Sequence, residues 1–128
     1  MDPLCLLVAG VVRATMPASE FTVDWMHSVQ KTRWEERYRT DGDGLLLIEA
    51  KVQGSGAGME PPPEARLIDG AWTWNPQRRL PSLRITRSGY TADYRLCWNG
   101  GCRELAAMIG PTPEGTAVDV QPCAAAPR

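Results

Sequence analysis

The segment Cys97-Trp98-Asn99-Gly100-Gly101-Cys102 constrains the fold more than any other stretch of the chain. Asn-Gly favours positive φ at both central positions of a tight hairpin. With Asn99 and Gly100 as the turn, Trp98 pairs with Gly101 and Cys97 falls opposite Cys102. Trp98/Gly101 is then the hydrogen-bonded pair, and Cys97/Cys102 is the closer one, with Cα atoms roughly 4.5 Å apart. Disulfides span roughly 4.4–6.8 Å, so a Cys97–Cys102 bond is expected. Cys5 and Cys123 stand near the two chain ends, which often lie close together in small domains. A second bond between them is expected, closing almost the whole chain. A zinc site fits poorly: the outer cysteines stand alone, and the four residues between Cys97 and Cys102 form a hairpin. Reduced thiols are the alternative that spacing leaves open.

Strand-like alternation surrounds this hairpin. In Phe21 to Val29, Phe21, Val23, Trp25, His27 and Val29 face one way and Thr22, Asp24, Met26 and Ser28 the other. Trp34 to Thr40 repeats the pattern, with Trp34, Glu36 and Tyr38 on one face. Its Glu- and Arg-rich composition would suit a helix, but it is too short before the Asp41-Gly42 stop. Leu45 to Val52 reads as an apolar strand. Further strands are expected near Ala65–Ile68, Ala71–Trp74, Leu83–Arg87, Thr91–Trp98, Cys102–Leu105 and Thr116–Gln121. Asp69-Gly70 is a second hairpin pair. The expected fold is all-β: a single small antiparallel sheet of about eight or nine short strands, curled into a barrel or sandwich. With five Trp and one Phe, Trp must supply much of the aromatic core.

A chain of 128 residues suits one domain, read here as 1–123 with a flexible tail at 124–128. The net charge of -1 argues against a nucleic-acid binder, which is normally basic. The apolar run Leu4 to Val12 falls well short of the ~20 residues that span a bilayer, so no membrane span is expected. Asp2 and Pro3 replace the basic region of a signal peptide, so the run reads as a buried strand. The cysteines favour a periplasmic location, whereas the missing signal leaves a cytoplasmic one open.

Two constellations bear on chemistry. If Gln30 to Arg33 form a loop, Val29 pairs with Trp34, His27 with Glu36 and Trp25 with Tyr38. That sets the only His opposite a carboxylate, either as a catalytic dyad or as a buried pair that fixes register. Ser28 points to the opposite face and cannot complete a triad. Gly54 to Pro63 is rich in Gly and Pro, without the Lys-Ser or Lys-Thr of a phosphate-binding loop. It reads as an anion-binding nest or as a tight bend before a rigid proline segment. No metal or cofactor is expected.

Four segments taken together are more specific. Phe21 to Val29 is followed by Trp34-Glu35-Glu36-Arg37-Tyr38, then by Gly54-Ser55-Gly56-Ala57-Gly58-Met59-Glu60-Pro61 and Asp69-Gly70-Ala71-Trp72. This order resembles the bacterial domain of unknown function 1850 family, over roughly Leu4 to Leu105. The resemblance implies a small β domain linked to TAXI-type tripartite (TRAP) transporters of organic acids, and a periplasmic location. It implies no reaction. By matching segments it marks His27, Ser28, Glu36, Gly56, Gly58 and Trp72 as ligand-binding candidates. The favoured expectation is a non-enzymatic accessory domain that binds transporter components or a small organic acid. A small hydrolase or isomerase using His27 and Glu36, and a purely structural module, are the alternatives.

Overall fold

The computed structural model describes residues 3–26, 32–53, 61–88 and 93–126. Its strands are β1 (Leu4–Val8), β2 (Val11–Met16), β3 (Glu20–Met26), β4 (Arg33–Asp41), β5 (Gly44–Gln53), β6 (Arg66–Ile68), β7 (Ala71–Trp74), β8 (Arg78–Leu80), β9 (Leu83–Thr86), β10 (Arg95–Trp98), β11 (Gly101–Glu104) and β12 (Ala117–Pro122). A short helix, α1 (Leu105–Ile109), follows β11. Among the described residues, no helix is long and apolar enough to cross a membrane.

The expected all-β fold is present and takes the sandwich form, as two antiparallel sheets rather than a single one. The smaller has the order β2-β1-β12-β9, and the larger β11-β10-β3-β4-β5-β7-β6, with β8 also on β5. Their inner faces share one core. Leu4, Leu6, Met16, Ile85, Val118 and Val120 come from the small sheet, and Phe21, Val23, Tyr38, Leu45, Leu47 and Leu96 from the large one. This is a β-sandwich, in which each sheet hides one apolar face against the other.

Local turn chemistry sets several of these pairings. Asn99 and Gly100 have φ of 51° and 79°, and Asp69 and Gly70 have 50° and 81°, as a tight hairpin requires. Cys97 pairs with Cys102 and Trp98 with Gly101. Both expected disulfides are present, Cys97–Cys102 and Cys5–Cys123. The Leu4–Val12 run is not one buried strand. Ala9 and Gly10 (φ 51° and 79°) fold it into the β1–β2 hairpin, which leaves Val11 and Val12 exposed. Gly44 admits β8: a Cβ there would lie 2.7 Å from the Leu80 carbonyl oxygen.

The β3–β4 register departs from the expected one. Glu36 pairs with Val23, Tyr38 with Phe21 and Trp34 with Trp25. The register brings like rings together: Phe21 stacks on Tyr38 at 5.5 Å and Trp25 on Trp34 at 6.0 Å between centroids. The slip is even in parity, so every side chain keeps its expected face.

Candidate functional site

Two rows of residues cross the large sheet on its inner face. The first runs Trp72–Val52–Trp34–Trp25 through β7, β5, β4 and β3. The second runs Trp74–Ala50–Glu36–Val23 through the same strands and ends at Leu96 on β10. Trp72 and Glu36, both marked from the sequence, thus lie in neighbouring rows. Small Ala50 sits between Glu36 and Trp74 in the ladder, so one carboxylate enters an otherwise apolar face.

Glu36 is half-buried, and Tyr38 Oη donates to its Oε1 at 2.8 Å. Burial raises the Tyr38 phenol above its ordinary value of 10.0, and the Glu36 carboxylate raises it further. Tyr94 is shifted upward for the same two reasons, burial first and Glu36 second. Both phenols therefore remain protonated donors at neutral pH. The Trp25 ring packs against those of both Trp34 and Tyr94, 5.6 Å from the latter. Trp34 Nε1, Thr32 Oγ1 and Arg37 Nε are shielded from solvent and have no hydrogen-bond partner among the described residues. Thr32 as a residue is only 8% exposed. Trp34, with its unpaired indole N–H, stands two positions from Glu36 on the same face of β4 and stacks on Trp25.

Tyr38→Phe should cost about 1.5 kcal/mol at neutral pH, the low end for a bond to a charged group, because half-buried Glu36 can rehydrate. The native phenol keeps its proton where the unfolded chain would lose it. Its contribution is therefore complete below about pH 10 and lost as pH rises further. Urea titrations from pH 8 to 11 should show this decline in the wild type and a flatter one in Tyr38→Phe.

His27, Ser28, Gly56 and Gly58 lie outside the described residues. The expected cross-strand His27/Glu36 pair is corrected by the ladder: Glu36 faces Val23, and β3 ends at Met26. The dyad thus loses the register on which it was argued. Trp34 and Tyr94 were legible only as strand aromatics, and Thr32 carried no signal in a polar loop.

A second cluster occupies the outer face. Asp24 is 3% exposed although strand alternation turns it away from the core. Arg95 Nε and Nη2 each donate to it at 3.0 Å, and Arg33 Nη2 at 2.8 Å. Through these bonds the Arg95 guanidinium is held even more firmly protonated than usual. Asp24 lines a cavity of about 630 Å³ with Arg37, Arg95, Cys97 and Cys102. Among the described residues, no group of three or more His, Cys, Asp or Glu could hold a metal ion.

Residues 21–105 match the model of the family described as Domain of unknown function (DUF1850). No curated protein and no solved structure matches the chain.

Proposed function

The chain belongs to the DUF1850 family, and we propose that it acts there as a non-enzymatic periplasmic accessory domain for TAXI-type TRAP uptake, binding a small organic acid beside Glu36. The observation that carries this reading is the pair of shielded donors without a partner among the described residues, Thr32 Oγ1 and Trp34 Nε1, the latter two positions from Glu36 on the same face of β4. A ligand carboxylate accepts from both donors. Its carbon skeleton packs on Trp25, Trp34 and Tyr94. A hydroxyl on the ligand donates to Glu36, which offsets the repulsion between two carboxylates. A hydroxylated acid therefore suits the site better than a simple one.

β3 ends at Met26, just before His27 and Ser28, and β5 ends at Gln53, just before the segment with Gly56 and Gly58. Arg33, which opens β4, pairs with Met26, and Ala71, which opens β7, pairs with Gln53. We assign His27, Ser28, Gly56, Gly58 and Trp72 to this same function. The two disulfides are compatible with a periplasmic or extracellular location.

Thermal unfolding across a panel of organic acids, with affinity capture of co-encoded transporter proteins, tests the reading. A ligand at one hundred times its Kd should add about 2.7 kcal/mol of stability. No shift across the panel, together with no captured transporter component, would sink it.

A further inference from the structure

We infer that the Cys97–Cys102 disulfide is a thiol-exchange site, opened and closed by an external dithiol while the Cys5–Cys123 bond stays intact. The two bonds occupy different settings. Cys5 is 4% exposed, Cys123 is half-buried, and their bond closes a sequence separation of 118. Cys102 is exposed, Cys97 is half-buried, and their separation is only 5. All four residues of β11 are exposed, and β11 ends the order of the large sheet. A thiol can therefore approach from the open edge.

The hairpin register does not depend on this bond. Asn99-Gly100 and the β10–β11 ladder already set the register that places the cysteines opposite one another. A short loop also gains little from cross-linking, because the entropy removed grows with loop length. The hairpin can therefore open at sulfur without global unfolding. Both cysteines line the outer-face cavity of about 630 Å³, so the exchange would act on the wall of a cavity.

The geometry also gives the direction of attack. Cys102 is the more accessible sulfur, so a thiolate of the dithiol attacks Cys102 Sγ. A mixed disulfide forms there, and Cys97 leaves as a thiolate and takes a proton from water. The second thiol of the reductant then attacks its own sulfur in the mixed disulfide and releases Cys102. Overall, two electrons and two protons pass from the dithiol, which becomes a disulfide, to the hairpin, which gains two thiols. Cys97 Sγ lies 3.8 Å from Asp24 Oδ2, so the new thiol has an acceptor in place. Arg33 and Arg95 hold that carboxylate where it is.

The test treats oxidised protein with dithiothreitol and, separately, with a thioredoxin-type dithiol protein. Differential alkylation and peptide mass spectrometry then follow each cysteine. Both reductants should open Cys97–Cys102 on the order of 100-fold faster than Cys5–Cys123, because neither cysteine of the terminal bond is exposed and Cys5 is buried, so attack there needs a larger opening. The far-ultraviolet circular dichroism should stay folded throughout. Glutathione should form its adduct on Cys102. Equal rates at the two bonds, failure of the dithiol protein to reduce either, or an adduct mainly on Cys97 would overturn the inference.

Discussion

Serine at both Cys5 and Cys123 should lower the unfolding free energy by about 5 kcal/mol, the chain-entropy value for a loop of this length. The bond joins β1 to the residue just after β12, where Cys123 N–H also donates to the Pro3 carbonyl at 2.9 Å. Leu4 pairs with Pro122 and Leu6 with Val120 in the ladder beneath it. Without the bond, the central pair of the small sheet must close a loop of nearly the whole chain unaided. Serine at Cys97 and Cys102 should cost only about 2 kcal/mol on the same relation. Urea unfolding of the two double variants measures the contrast. Equal losses would mean that the terminal bond does not hold the small sheet together.

Removing Arg33 and Arg95 together should cost about 3–5 kcal/mol, because it strands a buried carboxylate. Asp24 is 3% exposed, and the three donated bonds described above come from these two arginines. Their own side chains are 34% and 43% exposed. Asp24→Ala should therefore cost less than the double arginine variant, since water can take over the freed guanidiniums. The asymmetry is the informative result. It appears in equilibrium unfolding as a lower midpoint for Arg33→Ala/Arg95→Ala than for Asp24→Ala. The reverse order would show that Asp24 is not the buried partner that determines the cost.

The contrast between local and distant pairing explains what the sequence disclosed. The Asn99-Gly100 and Asp69-Gly70 hairpins and the Cys97–Cys102 bond followed from residues within a few positions of one another. The faces of Phe21, Val23, Glu36 and Tyr38 followed from strand alternation. Ala9-Gly10 concealed a hairpin because Ala rarely accepts the positive φ found there. The division into two sheets depends on β1 meeting β12, a contact without a local signal. The β3–β4 register depended on a loop length that a polar segment does not encode, and the stacking of Phe21 with Tyr38 and Trp25 with Trp34 marks the pairing adopted. Helix α1 is too short for a periodic signal, and its first turn is bonded from Asp93, whose Oδ2 accepts from Ala106 N. The burial of Asp24 depends on Arg95, which lies far along the chain but opposite it on the neighbouring strand β10. Of the site, Glu36 and Trp72 were legible through resemblance, whereas the unpaired donors of Thr32 and Trp34 emerge only from packing.

We propose that Trp34 Nε1 and Glu36 bind a small hydroxylated acid on the inner face of the large sheet. Trp25 and Trp34 stack there, so intrinsic tryptophan emission reports directly on that place. Titration with hydroxy acids should give a saturable change, weakened roughly tenfold in Trp34→Phe by loss of one donated hydrogen bond. Arg37→Gln, on the outer face, should leave the affinity unchanged. An affinity indifferent to Trp34→Phe, or no saturable change with any hydroxy acid, would contradict the claim.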